Sequence, residues 1–353
     1  MTITGNHIRV GISAGDINGV GPEVIIKTLA DARILENIIP IVYSSTETLK
    51  AYRKALGAED IRFHTINKAE EALLGKVNVL NVSREKFELQ LGDSTSAAGE
   101  LAFLSLQEAA QDLAANKTDV LVTAPINKMN IQSDKFKFPG HTEYLSQMAN
   151  VDDSLMFLVA EDLRVGVVTG HLPLKEVSAR LNQELITRKL NLMIDSLVRD
   201  FGIHRPKVAV LGLNPHAGDN GLLGTEEKEV ITPVIRDFVE KGQLVFGPFG
   251  ADGFFGSANY KNFDGVLAMY HDQGLIPFKT LSFENGVNFT AGLPIVRTSP
   301  DHGTAYDIAG KGLASEASFR KALFLACDIY TTRAKQRELL ENTLKPQKKK
   351  KEA

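Results

Sequence analysis

Residues 269–279, MYHDQGLIPFK, decide how this chain is interpreted. The apolar run in front of them, residues 264–269 (DGVLAM), predicts a short strand that is buried on both faces of a parallel sheet. Residues 271–274 are therefore predicted to form a turn at the carboxyl end of that strand. Open α/β sheets bind their ligands at this edge.

Two further histidines follow apolar runs of the same kind. His171 comes after residues 164–169 (RVGVVT), and His216 comes after residues 207–213 (KVAVLGL). Because parallel strands end at a shared edge, these two side chains and His271 are predicted to converge. Imidazole is a frequent ligand of Zn, Co, Ni and Fe, and three protein ligands with one open position are typical of a catalytic metal site. The residues alone leave open the alternative of three separate structural or substrate-binding histidines.

Apolar runs and helical patterns alternate along the rest of the chain, which predicts a continuous α/β fold. A chain of 353 residues is too long for most single cores, so two domains or lobes are expected. The pattern also predicts Thr142 as a helix N-cap and places Asp252 in a loop, residues 247–255. The predicted strands are residues 8–13, 40–43, 77–82, 120–123, 156–159, 164–169, 207–213 and 264–269, and the predicted helices are residues 22–29, 46–56, 94–116, 174–201 and 225–241.

A glycine-rich turn, residues 14–23 (AGDINGVGPE), joins the first predicted strand to the first predicted helix. A turn of this kind at the start of a helix is a possible cradle for an anion or a cofactor. Its glycines stand at positions 15, 19 and 21, which matches neither the dinucleotide-binding spacing nor a Walker A loop. A purely structural tight turn therefore stays open as the alternative.

The composition disfavours several classes of protein. The chain has 40 lysines and arginines against 43 acidic residues, and much of the basic charge lies in residues 345–353 (KPQKKKKEA). The body is therefore acidic, which disfavours nucleic-acid binding, and the tail is predicted to be disordered. Cys327 is the only cysteine, which excludes an intrachain disulfide. Without a membrane-length apolar run or a secretory leader, the sequence predicts a cytoplasmic protein with no membrane partner.

Cations and amides follow the central histidine closely. Lys279, Asn288 and Arg297 suit a phosphate or carboxylate group, because an arginine fork binds two oxygens while a lysine adds a point charge. Asp252 and Asp272 are candidates for orienting a histidine ligand or relaying a proton. The residues thus predict metal-assisted chemistry on a small anionic substrate, without distinguishing a dehydrogenase from a hydrolase or an aldolase.

With these residues the chain resembles the 4-hydroxythreonine-4-phosphate dehydrogenase family of vitamin B6 synthesis, whose fold is like that of isocitrate and isopropylmalate dehydrogenases. The resemblance covers residues 8–337. Ile17 and Asn18 stand where the family commonly has proline and alanine, so an altered loop stiffness with retained activity is expected. The matching blocks are GDINGVGPE (15–23), TAPINK (123–128), PGHTE (139–143), TGHLPL (169–174), GLNPHAGDNG (212–221), MYHDQGL (269–275) and GLPIVRTSPDHGTAYDIAGKG (292–312).

The resemblance implies a three-layer α/β/α fold with two lobes and a cleft between them. Residues 1–130 together with about 305–344 are expected to form a cofactor-side lobe. Residues of about 131–304 are expected to form the lobe for metal, substrate and dimerisation. The resemblance also implies a homodimer with its active site at the subunit interface and metal ligands from both subunits.

The implied site residues fall into three groups. The cofactor is NAD or NADP, and the divalent metal is Zn, Co or Mg. The expected metal ligands are His171, His216 and His271; the expected substrate-binding residues are His141, Thr142, Lys279, Asn288 and Arg297; and the expected cofactor-binding residues are His302, Gly303, Thr304 and Asp307.

The implied reaction is oxidation of 4-phosphooxy-L-threonine to 2-amino-3-oxo-4-phosphooxybutanoate, which loses CO2 to give 3-amino-2-oxopropyl phosphate on the route to pyridoxal phosphate. One alternative is a dehydrogenase of 4-phospho-D-threonate or 4-phospho-D-erythronate on the same scaffold. Another is a metal-dependent phosphate-ester binder or acyl-phosphate transferase without redox chemistry. That last alternative leaves residues 301–312 (DHGTAYDIAGKG) without a role.

Overall fold

The computed structural model describes residues 7–85 and 87–342. The predicted disordered tail, residues 345–353, lies outside this description. Within the described residues, twelve strands form one sheet. The strands are β1 (Ile8–Ser13), β2 (Ile38–Ser44), β3 (Phe63–Ile66), β4 (Val77–Asn81), β5 (Val120–Thr123), β6 (Leu155–Ala160), β7 (Leu163–Thr169), β8 (Lys207–Leu211), β9 (Leu244–Phe249), β10 (Gly265–Tyr270), β11 (Val287–Ala291) and β12 (Arg297–Pro300). Their order in the sheet is β3-β4-β2-β1-β5-β12-β11-β6-β7-β10-β8-β9.

Helices cover both faces of this sheet. Val120 and Val122 of β5 face the core that holds α1, α3, α7, α8 and α11, whereas Leu121 faces α4 on the other side. The alternation follows from the two-residue period of a strand, and it confirms the predicted three-layer α/β/α fold. The helices are α1 (Gly21–Leu29), α2 (Ala32–Leu35), α3 (Thr46–Ala55), α4 (Ser96–Ala114), α5 (His141–Met148), α6 (Leu174–Arg180), α7 (Gln183–Arg199), α8 (Thr232–Glu240), α9 (Ala251–Gly256), α10 (His271–Ser282) and α11 (Ala317–Glu341).

The sheet consists of two parallel blocks that run in opposite directions. Strands β1 to β5 and β12 are parallel to one another, and so are β7 to β10. Between the blocks, β11 and β6 pair antiparallel with their neighbours. The carboxyl ends of the two blocks therefore lie at opposite edges of the sheet. Since β7, β10 and β8 are neighbours, the loops that carry His171, His271 and His216 leave from the same edge.

The division into two lobes stays a prediction. Its boundary at about residue 130 falls between β5 of the first block and β6. Strand β12, which lies in the second predicted lobe, pairs with β5 in the first block. The sheet thus continues across the predicted boundary.

Three local predictions are wrong. Residues 271–274 are not a turn but the first turn of α10, where Asp272 stands favourably at the positive end of the helix. Thr142 lies inside α5, and the extended residue Gly140 is the N-cap. Residues 247–255 are not a loop, because β9 runs to Phe249 and Asp252 lies in α9.

The predicted helix over residues 174–201 is interrupted. Its two parts, α6 and α7, are separated where the Asn182 side chain accepts a hydrogen bond from Leu185 N at 2.8 Å, which caps the second helix. Cys327 is buried, and burial raises the pKa of its thiol to about 12, as expected of a core residue. Across residues 7–85 and 87–342, every helix is too short or too polar to cross a bilayer.

Candidate functional site

A cavity of about 300 Å³ lies on the face of the sheet that carries α5 and α10. Met156 and Leu158 of the antiparallel strand β6 contribute to its wall. The cavity therefore lies across the middle strands, between the two parallel blocks. A volume of this order is typical of a small-molecule site. The predicted site residues that line it are His141, Thr142, His171, His271, Lys279, Asn288, Arg297, His302 and Gly303.

Arg297 supplies a buried positive charge to this cavity. Its side chain comes from the first residue of β12, and the residue is only 2% exposed. The guanidinium donates to Thr123 Oγ1 at 3.1 and 2.6 Å and to Thr290 Oγ1 at 3.3 Å. Burial lowers the pKa of Arg297 to about 10, and Glu143 opposes that shift. Hydroxyl groups do not neutralise a buried cation, so the site favours an anionic ligand.

A second cation, Lys279, forms an ion pair with a partly buried carboxylate, Asp301. Lys279 Nζ is 3.3 Å from Asp301 Oδ1, in an ion pair whose lysine is 41% exposed. Burial raises the pKa of Asp301, while Lys279 works against that rise. The pair fixes the direction of the ammonium group and leaves part of it open to the cavity.

Several buried polar atoms at the cavity have no hydrogen-bond partner among the described residues. These atoms are His141 Nε2, Asn288 Oδ1 and His302 Nε2. Burial, followed by the charges of Arg297 and Lys128, lowers the pKa of His141 well below 6.5, so its ring stays neutral. A buried donor or acceptor without a partner is costly, and such atoms around a cavity point to a polar ligand.

His171 and His271 lie side by side at this cavity. They follow adjacent parallel strands in which Thr169 is opposite Tyr270, and their ring centroids are 5.8 Å apart. His271 Nδ1 is 2.7 Å from Asp272 Oδ1. Because an ionised carboxylate only accepts, the ring donates from Nδ1 and keeps Nε2 free as a ligand atom.

The surroundings of His171 favour the neutral form of its imidazole ring. Burial lowers the pKa of His171, Lys128 and His271 lower it further, and Glu143 opposes them. Two imidazoles at one cavity fit a divalent transition metal. Nevertheless, the structure within residues 7–85 and 87–342 contains no group of three His, Cys, Asp or Glu side chains placed to hold a metal ion.

The third predicted ligand, His216, lies elsewhere on the chain. It does not line the cavity, and it is exposed on the loop after β8. Residues 216–220 all adopt left-handed backbone conformations, with φ between 41° and 79°. Such a conformation costs roughly 1 kcal/mol or more for each non-glycine residue, so the surrounding structure must hold this turn.

Glu227 holds the base of that turn. The residue is 5% exposed, and its Oε1 accepts from the backbone N–H groups of Leu213 and Asn214, both at 2.7 Å. Its Oε2 accepts from Asn214 Nδ2 at 2.9 Å. Asp252, predicted as a proton relay or orienting group, is exposed beside the same loop, because Gly250 lies next to both Asp252 and His216.

The predicted cofactor loop packs against the first glycine-rich turn. Thr304 O accepts from Val20 N at 2.8 Å, and a Cβ at Gly19 would lie 2.6 Å from Thr304 O. The glycine at position 19 is therefore needed for close approach of two backbones, which favours the structural interpretation of that turn. Asp307 is exposed and, like Thr304, lies outside the cavity wall.

Buried Glu23 fixes the far end of the cofactor loop. Its carboxylate accepts from Gly310 N at 3.2 Å, from Ala314 N at 2.9 Å and from Lys27 Nζ at 2.9 Å. Glu23 also stands in the first turn of α1, where the helix dipole favours a carboxylate. Its contacts with Gly310 and Ala314 depend on the tertiary structure, because they form only where the cofactor loop packs against α1.

Three residues at the site and its loops were not predicted from their sequence context: Asp301, Glu143 and Glu227. Asp301 directly follows a strand, so its position alone was a usable signal. Glu143 lies in the first turn of α5 and lines the cavity, where it offsets part of the positive charge. Glu227 carries no signal in the sequence, because its partners are backbone groups of another segment.

The chain is similar in sequence and in structure to known proteins. The family model of "Pyridoxal phosphate biosynthetic protein PdxA" matches residues 36–326. The chain is 50% identical over 343 residues, 97% of this chain and 94% of the relative, to the 4-hydroxythreonine-4-phosphate dehydrogenase of Bacteroides thetaiotaomicron. It is 39% identical over 328 residues, 92% of this chain and 98% of the relative, to the D-threonate 4-phosphate dehydrogenase of Cupriavidus necator.

The structure is similar to a crystal structure of 4-hydroxythreonine-4-phosphate dehydrogenase from Klebsiella pneumoniae. The TM-score is 0.78 at 36% sequence identity, and the match covers 93% of this chain and 98% of the other. The similarity therefore extends over both parallel blocks and the antiparallel strands between them.

Proposed function

The chain belongs to the family of the pyridoxal phosphate biosynthetic protein PdxA, and from this premise we propose that it is an NAD(P)-dependent dehydrogenase of 4-phosphooxy-L-threonine. The observation that carries the proposal is the buried, un-neutralised guanidinium of Arg297 in the same cavity as the His171 and His271 pair. A phosphorylated hydroxy amino acid supplies anionic groups that Arg297 can bind and a hydroxyl group that can lie next to His171 and His271.

The substrate's anionic groups bind on the positive side of the cavity. Arg297 and Lys279 bind oxyanions, and the unpartnered atoms of His141 and Asn288 hydrogen-bond the remaining polar groups. Thr142 lies on the same wall and adds a hydroxyl group. These contacts orient the substrate so that its reacting carbon faces the cofactor.

The metal ligands are His171 and His271 from one subunit and His216 from a second copy of the chain. The geometry supports this arrangement, because the first two are paired at the cavity while the third is exposed on another loop. These histidines would hold a divalent ion, Zn, Co or Mg, which would polarise the substrate's hydroxyl group and lower its pKa. On this proposal, the protein is a homodimer, and its active sites lie at the subunit interface.

The nicotinamide cofactor binds along residues 301–312. His302 and Gly303 line the cavity beside the substrate, and Thr304 and Asp307 continue the loop away from it. NAD(P) held there would accept the hydride from C3 of the substrate, and the hydroxyl proton would pass to a base. Asp272 orients His271 through their 2.7 Å contact, and Asp252 is the candidate proton relay beside His216. The 3-oxo acid would then lose CO2: the C1–C2 bond breaks, its electron pair moves towards the C3 carbonyl group to form an enolate, and a proton adds to C2.

A second candidate substrate is 4-phospho-D-threonate, with 4-phospho-D-erythronate as its close analogue. The similarity to the D-threonate 4-phosphate dehydrogenase of Cupriavidus necator favours it. Arg297 and Lys279 suit either substrate, because both carry a phosphate group and a carboxylate.

The test is NADH or NADPH formation with each of the three phosphorylated substrates, before and after treatment with a chelator. We expect metal-dependent turnover that prefers 4-phosphooxy-L-threonine. Turnover of the hydroxy acids alone would keep the chemistry and reassign the substrate. If the metal-bound protein forms no NADH or NADPH with any of the three substrates, that result would contradict the proposed dehydrogenase activity and favour a non-redox phosphate-ester binder.

A further inference from the structure

A second cavity, of about 410 Å³, lies at the amino ends of β5 and β12. Asp119 and Val296, the residues directly before these strands, line it, as do residues of α11 and the end of α7. The candidate active site reaches Thr123 at the other end of β5, roughly 13 Å along the strand from Asp119. At β12 the two cavities come closer, because Arg297 of the active site directly follows Val296 of this cavity. In the described ranges they share no lining residue.

One buried carboxylate in this region serves two guanidinium groups. The side chain of Asp200 is fully buried, and its Oδ1 accepts from Arg199 Nε at 2.9 Å and from Arg333 Nε at 2.7 Å. Both arginines line the cavity. The arrangement leaves one positive charge in excess.

The neighbouring charges add to that excess. Arg337 lines the cavity one turn along α11 from Arg333, is exposed, and forms no ion pair with any residue in the described part of the chain. Asp119 does not compensate for it, because Arg9 already pairs with Asp119 at 2.9 Å. The wall is therefore positive although the chain as a whole carries a formal charge of −3.

Structural hydrogen bonds account for only some of the donor groups of Arg333. Its Nη1 donates to Pro294 O at 3.0 Å and Ile295 O at 3.2 Å, which ties α11 to the segment before β12. Its Nη2 is buried without a partner in the described residues. Burial lowers the pKa of Arg333, Arg199 and Arg337 lower it further, and Asp200 opposes them. A bound anion would remove this repulsion and satisfy the free donor.

We propose that this cavity binds a small organic anion through a phosphate or carboxylate group held by Arg199, Arg333 and Arg337. Leu113, Ile295 and Val296 contribute an apolar wall for the rest of the molecule. The volume lies within the range of small-molecule sites. This site is separate from the proposed dehydrogenase site and does not depend on it.

The experiment is isothermal titration calorimetry of the full-length chain with inorganic phosphate and, separately, with citrate at low ionic strength. The variants are Arg337→Glu and the matched control Lys335→Glu, which changes an exposed cation of the same helix that does not line the cavity. We expect Arg337→Glu to weaken binding of at least one anion by roughly tenfold or more, and Lys335→Glu to leave it near the wild-type value. Response to phosphate alone identifies a phosphoryl ligand, and response to citrate alone identifies a carboxylate.

A Lys279→Ala variant separates this cavity from the candidate active site. Anion binding that survives Lys279→Ala and is lost in Arg337→Glu supports the proposal. Binding that is lost in Lys279→Ala and kept in Arg337→Glu contradicts it. Equal weakening by Arg337→Glu and Lys335→Glu would also overturn it, since a general surface field would then explain the effect.

Discussion

The His171 and His271 pair and the His216 loop differ although all three histidines follow strands of one parallel block. His171 and His271 stand within two residues of their strand ends, and the pairing of β7 with β10 brings their rings together. His216 stands beyond Gly212–Pro215 on an exposed left-handed turn. A strand end thus positions a side chain directly, whereas a longer loop positions it only through whatever holds the loop.

In this molecule Glu227 holds that loop. The carboxylate secures Leu213 and Asn214, and the left-handed residues that follow present His216 outward. An outward histidine suits a site on another copy of the chain, whereas the paired histidines suit the chain's own cavity. The difference between the two regions therefore predicts a shared metal site, which the following changes would break or sharpen.

The largest expected effect is that of removing a ligand. His271→Ala and His216→Ala should each lower kcat/KM by more than about 100-fold and reduce bound metal, because loss of a direct ligand exceeds the 10–100-fold effect of an outer-shell partner. Metal content by mass spectrometry and turnover measure both effects. The control is His204→Ala, which removes an exposed histidine that does not line the cavity. Full activity of His216→Ala would remove this residue from the site.

The next effect distinguishes a shared site from an intrachain one. His216→Ala subunits mixed with His271→Ala subunits should regain about a quarter of wild-type turnover, since half of the dimers are mixed and each mixed dimer has one intact site. Steady-state turnover after subunit exchange measures it. Two inactive parents that stay inactive when mixed, despite proven exchange, would contradict the interface site.

A smaller effect is expected from loosening the loop. Glu227→Gln places an amide donor near Asn214 Nδ2, which now donates to Oε2 at 2.9 Å. We expect roughly tenfold weaker metal binding and a loss of about 1–3 kcal/mol in the free energy of unfolding. Metal titration and urea unfolding check the two values. Glu229→Gln, an exposed change in the same segment, is the control and should change neither.

The smallest effect is a pH dependence that His141 gives to stability. Its pKa is lowered in the fold from 6.5, so between the folded value and 6.5 the unfolded chain binds a proton that the folded chain does not. Stability should therefore fall as the pH drops below about 6.5. His141→Gln should flatten this dependence in urea unfolding between about pH 7 and pH 5, while His204→Gln should not. An unchanged slope in His141→Gln would assign the dependence to another group.

Much of the fold could be predicted from the sequence. The apolar runs at residues 8–13, 120–123 and 164–169 coincide with β1, β5 and most of β7. A strand that is buried on both faces needs apolar side chains at nearly every position, so its sequence is a continuous apolar run. Strands β3, β9, β11 and β12 were not predicted, since the polar residues, glycine or proline within them weaken that signal. The turn expected at residues 271–274 became a helix because α10 continues directly from the strand.

The direction of the strands could not be predicted. The short connection between residues 156–159 and 164–169 allows a hairpin or adjacent strands, and β6 and β7 do pair antiparallel. Nothing in the local pattern shows that β11 also pairs antiparallel with its neighbours, or that the second block runs opposite to the first. For the same reason the sequence did not indicate that the cavity lies across the middle strands. Glu227 was overlooked because its partners, Leu213 and Asn214, lie in another segment and are brought to it only by the fold.

The sequence by itself determined the α/β class, the residue types of the site and the family. Apolar periodicity, turn residues and matching motifs are local properties, so they can be identified from the sequence alone. The tertiary structure decided which histidines meet, which arginines are buried without a carboxylate and where a second cluster of arginines forms. Those are properties of strand direction and packing between distant segments, and a linear pattern does not encode the distance between two such segments.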